Sequence, residues 1–281
     1  MLYVKHKSKY DPRWIALYRE TYLSERLMTR GLCDLLYANL FNQELYYSSF
    51  FSITIAFERI CKLVLNSDRY TARGTFLSDR QLRDEGHDLK KLYNKVVEIS
   101  RENRIPVIEI GKKNEKILEF LTDFAKSGRY YNFVTLGGGK STDPIVGWRK
   151  IVGKTTNDAY CVDRKKCDEM LYDERTLCDM HFFDEEGKNV ESDSDCEESL
   201  KETQQIQING LRLVLPLIIN IVTCLDSYSE KSINAESDAE NADKCNNMEA
   251  ILKRIESQQK FMLPNYAEFY QKIRRMYEYC G

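Results

Sequence analysis

Asn42 to Asn66 reads NQELYYSSFFSITIAFERICKLVLN, and this stretch decides the fold. Tyr46, Phe50, Phe51, Ile53, Ile55, Phe57, Ile60, Leu63 and Val64 put apolar side chains on nearly every face of a helix. A helix that is greasy all round has no wet side, so it belongs at the centre of a bundle. Its charges come late, as Glu58, Arg59 and Lys62, and Glu58 stands four residues before Lys62, the supportive helical spacing.

Working outward, Glu25 to Asn39 carries Leu27, Met28, Leu32, Leu35 and Leu36 on one stripe. On the other side, Ser78 or Asp79 caps a helical stretch that meets Gly86. From His87 onward Leu89, Leu92, Tyr93, Val96, Val97 and Ile99 share a face, while Lys90, Lys91, Asn94 and Lys95 point away. Asn103 to Pro106 ends that helix, because the residue before proline is pushed out of the α region. Val107 to Ile110 reads as a short extended piece. Lys112 to Ser127 is amphipathic, with Gly128 as its expected C-cap. Arg129 to Val152 reads as irregular, around Gly137 to Gly139 and Asp143-Pro144.

The second half repeats the helical period. Ala159 to Phe183, Ile208 to Leu225, Asn246 to Lys260 and Pro264 to Tyr279 read as helices. The polar stretches near 184–205 and 226–247 read as mobile loops. The expected class is all-α: an antiparallel helix bundle with a C-terminal helical extension and polar loop insertions. Residues 1–160 form the basic bundle, and residues 161–281 form an acidic helical part that packs on it.

Composition agrees with a globular chain: 42% hydrophobic and 31% charged residues over 281 positions. The first ten residues, MLYVKHKSKY, show no leader pattern. Arg212, Pro216 and Asn220 interrupt the apolar run from Ile208 to Leu225, which therefore reads as a buried helix and not as a membrane span. Nine cysteines, an odd number, argue against a secreted disulfide framework and for reduced thiols in a cytoplasm. The net charge of -2 hides an asymmetry: residues 1–166 carry 30 Lys and Arg against 20 Asp and Glu, and the remainder carry 12 against 24. A basic half attracts polyanions.

Three segments, in order, carry a resemblance to the HEPN family. AFERICKLVL is similar to the family's helix with an acidic residue and a lysine, here Glu58 and Lys62. EGHDLKKLYNKVV resembles the His-Asp-Leu opening of the next helix, here His87, Asp88 and Leu89. FAKSGRYYNF resembles the family's Arg-Tyr ending, here Arg129 and Tyr130. The resemblance covers about residues 25–133 and implies a four- or five-helix bundle, often a homodimer. It also implies RNA or another polyanion as ligand and, in catalytic members, metal-independent endoribonuclease activity of a defence or toxin-antitoxin type. It calls for no cofactor and no metal.

Catalytic members carry an arginine, four to six residues, then a histidine. Arg80 and His87 have that separation, with Arg83 between them. Arg175 and His181 form a second candidate pair, although Thr176 follows the arginine where the family prefers Asn, Asp or His. A six-residue step also leaves Arg175 and His181 about 120° apart on a helix. The chemistry explains the residue types. A 2'-hydroxyl must lose a proton as it attacks the neighbouring phosphorus, and histidine takes and returns protons near neutrality. Arginine braces the phosphate with two parallel donors. Arg59, Lys62, Lys90, Lys91, Arg129 and Tyr130 supply the expected phosphate contacts and one stacking surface. The plainer alternative makes His87 a helix-start residue, the lysines a wet face, and the chain a non-catalytic interaction or scaffold module.

Two other motifs carry less. GGGKST at Gly137 to Thr142 lacks the glycine that a phosphate loop needs five residues before Gly139, where Val134 stands, and reads as a turn. Cys161, Cys167, Cys178 and His181 lack the paired spacing of a zinc site.

Overall fold

The computed structural model describes residues 12–153, 184–189, 193–242 and 273. The expected helices at Ala159 to Phe183, Asn246 to Lys260 and Pro264 to Tyr279 lie outside those residues, apart from Ile273, which is helical and buried. Among the described residues the protein is mostly helical and has no strand, an all-α fold. The helices are α1 (Pro12–Tyr37), α2 (Glu44–Arg73), α3 (Asp79–Asp84), α4 (Leu89–Glu102), α5 (Lys112–Lys126), α6 (Tyr131–Leu136), α7 (Pro144–Val152) and α8 (Asp193–Ala242).

Helix α2 is the axis, packed against α1, α4, α5 and α8, although its face with Phe51 and Ile55 stays exposed. Tyr46, Phe50, Ile53, Phe57, Ile60 and Val64 are fully buried along it. Phe50 meets Phe120, Phe124 and Trp148 at ring-centroid distances of 5.0, 5.3 and 5.5 Å, which joins α2, α5 and α7. Helix α2 runs beyond the expected end at Asn66, and in its added turns Asp68 accepts a 2.8 Å hydrogen bond from the Tyr228 hydroxyl. Gly74, at φ 67°, then stops it and donates its N–H to the Tyr70 carbonyl.

Helix α1 lies antiparallel to α2: Glu20 meets Arg59, and Asp34 meets Ser48. It starts at Pro12, well before the expected Glu25. The extra turns bury a mostly polar stripe, Leu17, Thr21 and Ser24, which apolar periodicity does not report, while Tyr18, Tyr22 and Leu23 are exposed. Gly31 permits the close approach, because a Cβ there would lie 2.8 Å from an Ile53 side-chain atom.

The stretch Arg129 to Val152, expected to be irregular, instead holds a 3-10 turn at Gly128–Tyr130, then α6 and α7. Asp143 caps α7 by accepting from the Ile145 N–H at 2.8 Å, and Pro144 sits at its first turn. Ser127, not Gly128, is the C-cap of α5. Val107 to Ile110 forms no strand; the Asn220 side chain brackets Ile108, accepting from its N–H at 2.7 Å and donating to its carbonyl at 2.9 Å.

Helix α8 replaces both expected mobile loops over much of their length, since it covers 193–205 and 226–242 without a break. Polar composition misled there: the 193–205 face buries Cys196, Leu200 and Thr203 against the rest of the fold. Helix α8 also departs from antiparallel order, because Gln207 reaches the Ala38 carbonyl beside the start of α2 while Tyr228 reaches Asp68 near its end. The two helices run side by side in the same direction. Buried residues of α1, α2, α4, α5, α7 and α8 form one continuous hydrophobic cluster. Glu198–Tyr228 is long and apolar enough to cross a membrane, and 83% of its most apolar window is buried inside the bundle.

A buried charged group pins the 184–189 turn. Arg149, only 8% exposed in its side chain, lies 3.7 Å from Glu185 and 3.3 Å from Glu202, and donates to Thr203 at 2.9 Å. The Thr203 hydroxyl in turn donates a hydrogen bond to Glu185 at 2.7 Å. Burial pushes the Glu185 carboxyl above its ordinary range, against the pull of Thr203 and Arg149.

Candidate functional site

The end of α5 and the start of α4 are clamped together by Asp88. Its carboxylate caps α4 by accepting from the Lys91 N–H at 3.0 Å and pairs with Lys126 at 2.7 Å. The Lys126 hydrogen bond, then the Lys91 N–H, hold the Asp88 carboxyl below its usual range. On the other side of His87, Gly86 turns the chain at φ 70°, and Lys95 pairs with Glu85. These contacts fix a short turn that carries His87 toward α2.

There His87 lines a cavity of about 430 Å³ with Phe51, Thr54, Ile55, Glu58, Arg59, Phe124, Ala125 and Arg129. Its Nδ1 lies 3.0 Å from both carboxylate oxygens of Glu58. A carboxylate in that position keeps a proton on Nδ1 and leaves the Nε2 lone pair for a ligand. The imidazole is 74% exposed, whereas the Glu58 side chain is 21% exposed. Burial works against ionisation of Glu58, yet hydrogen bonds from Lys62, at 2.8 Å, and His87 hold its carboxyl below the ordinary value.

The lining carries two arginines and one glutamate, one net positive charge with the imidazole neutral. Arg59 already shares Glu20, at 2.6 and 2.7 Å. Arg129 has no carboxylate partner among the described residues; its guanidinium donates to the Ala125 carbonyl and stands 5.7 Å from the Tyr130 ring centroid. It is the cation best placed to meet an incoming anion.

Of the residues expected at a site, His87, Arg59 and Arg129 come together. Lys62 lines the adjoining cavity of about 620 Å³, which shares Glu58 and Arg59 with the first. Lys90 is paired with Glu119 at 2.6 Å, Lys91 is exposed on the first turn of α4, and Tyr130 is 55% exposed beside Arg129. Arg80 and Arg83 line neither of these cavities; both sit on α3, where Arg83 pairs with Asp79 at 2.6 Å. Helix α3 stops at Asp84, so no continuous helix carries Arg80 and His87 on one face. Arg175 and His181 lie outside the described residues, as do Cys161, Cys167 and Cys178. No cluster of metal-ligating side chains occurs among the described residues.

Phe51, Thr54, Ile55 and Phe124 were not expected at the site; Phe51 and Ile55 were read only as apolar positions of the central helix. The signal existed: Phe51, Ile55 and Glu58 step back along α2 from the acidic residue at spacings of three and four, and so share its face. Comparisons with protein-family models, curated proteins and solved structures find no match to this chain.

Proposed function

We propose that the cavity around His87 binds RNA and cleaves it as a metal-independent, HEPN-like endoribonuclease. The observation that supports this best is that His87 and Arg129, from different segments of the chain, line one solvent-reached cavity. In this reading a phosphate lies against Arg129 and Arg59, and the 2'-hydroxyl of the preceding ribose gives its proton to Nε2 of His87. The freed oxygen attacks phosphorus, the bond to the 5'-oxygen breaks, and that oxygen takes a proton from a water that the His87 imidazolium reprotonates, which returns the imidazole to its neutral form. The products are a 2',3'-cyclic phosphate and a 5'-hydroxyl. Glu58 holds the imidazole in position through its contact with Nδ1.

The decisive test is incubation of the full chain with a labelled RNA in EDTA. Cleavage should persist in EDTA and fall by about 10²-fold or more in His87→Ala. Equal cleavage by His87→Ala would remove this histidine from the chemistry. A homodimer belongs to the same proposal and is checked by light scattering.

A second reading makes the chain a non-catalytic protein-binding module. It draws on α6, where Phe133 and Leu136 are 74% and 83% exposed. That reading expects no RNA binding at all.

A further inference from the structure

We infer that Tyr130 and Phe133 form a stacking shelf for nucleobases, continuous with the cavity through Arg129. The inference rests on the RNA reading and extends it to residues that touch neither His87 nor Glu58 in the described geometry.

The most exposed large apolar side chains of the described residues are gathered in one short segment. Tyr130 is 55% exposed, Phe133 74% and Leu136 83%; Phe133 stands three residues from each of the others and so neighbours both along the turn and α6. Leaving two aromatic rings in water forgoes the favourable burial that each ring offers. Something flat and apolar on its faces is therefore a fitting occupant.

Charge selects among such occupants. Arg129 adjoins the shelf, its guanidinium 5.7 Å from the Tyr130 ring centroid, and it has no carboxylate partner among the described residues. A ligand that alternates flat rings with negative charges satisfies both features, and a nucleic-acid strand with unpaired bases has that alternation. The shelf is also held in place. The Tyr47 hydroxyl donates to the Asn132 side chain at 3.2 Å, which ties α6 to α2, and Gly139 donates its N–H to the Val134 carbonyl at 2.8 Å. A fixed platform loses little conformational freedom when a base lands on it. A strand whose phosphate lies on Arg129 would thus have one neighbour in the cavity and the next base on the shelf.

The test is a double-mutant cycle on RNA binding, read by fluorescence anisotropy with the full chain carrying His87→Ala to prevent cleavage. The probes are a short single-stranded oligonucleotide and the same oligonucleotide with abasic sites at successive positions. Phe133→Ala and Tyr130→Ala should each weaken binding of the intact strand by about tenfold, from roughly 1–3 kcal/mol of stacking per base. For the abasic strand lacking the stacked base, the same substitutions should change affinity by less than about twofold. Both side chains are exposed, so unchanged circular-dichroism melting certifies the fold. RNA bound equally well by the parent protein and both shelf variants would overturn the shelf alone and hand that face to a protein partner. No RNA bound by the parent at any salt concentration would overturn the RNA reading, and the shelf with it.

Discussion

His87 Nδ1 sits 3.0 Å from both oxygens of Glu58, although the two residues are 29 positions apart in the chain. One carboxylate thereby joins the central helix α2 to the turn before α4, and Lys62 pairs with its Oε1 at 2.8 Å.

Glu58→Gln should lower RNA cleavage by about tenfold while leaving RNA affinity within about twofold, because it loosens the imidazole without removing a phosphate contact. The same substitution changes the pH profile of stability. Glu58 has a depressed folded-state pKa, so its contribution is complete above the unfolded value of about 4.3 and disappears as pH falls through the folded value. Urea unfolding between pH 3 and 6 should accordingly show a shallower acid loss in Glu58→Gln than in the parent. Identical profiles would mean that the His87 and Lys62 contacts do not persist in solution.

Arg149→Met should destabilise the fold by about 3–5 kcal/mol, since it strands Glu185, whose side chain is fully buried. Glu185→Gln should cost less, because Arg149 keeps Glu202 at 3.3 Å and Glu186 at 3.5 Å. Chemical denaturation of both variants checks the order. A larger loss in Glu185→Gln would contradict the assignment of Arg149 as the centre of the group.

Gly210→Ala tests the packing of α7 on α8. A Cβ at Gly210 would stand 2.2 Å from Cζ2 of Trp148, a ring that is fully buried and anchored by its N–H to Gln207 at 3.2 Å. The indole has nowhere to retreat. Overpacking of this kind costs about 1–3 kcal/mol, and the denaturation midpoint should drop accordingly. A Gly210→Ala protein as stable as the parent would show that the indole seat is looser than described.

The all-α class and the central place of α2 were legible because apolar periodicity is a local signal, written into Tyr46, Phe50, Phe57 and Ile60. The Ser78 cap was legible for the same reason, and the structure adds its reciprocal partner: Ser78 accepts from the Gln81 N–H while the Gln81 side chain accepts from the Ser78 N–H. Helix α8 was misread where polar composition suggested loops. Composition reports the average over a helix, whereas Cys196, Leu200 and Thr203 bury one narrow face of it. Helices α6 and α7 were hidden by the glycines around Gly138, which punctuate short helices without abolishing them.

At the cavity, the meeting of His87 with Arg129 rested on a family pattern, and Glu58 appeared first as a helix-supporting charge. Its contact with His87 spans two helices and a turn, so no local spacing encodes it. The Arg149 group is of the same kind, drawing on α2, α7, the 184–189 turn and α8. Arg80 lies on α3, outside the cavity lining, for a local reason: α3 ends at Asp84 and Gly86, at φ 70°, turns the chain before His87.

The most direct measurement is RNA affinity as a function of salt for the His87→Ala chain, with and without Arg129→Ala. If the cavity holds phosphate through Arg129, the parent should bind RNA with a clear negative slope of log affinity against log salt. Removing Arg129 should weaken binding and flatten that slope by about 0.7, the share of one phosphate contact on a single strand. Binding with the same slope in both proteins, or no binding in either, would contradict the account.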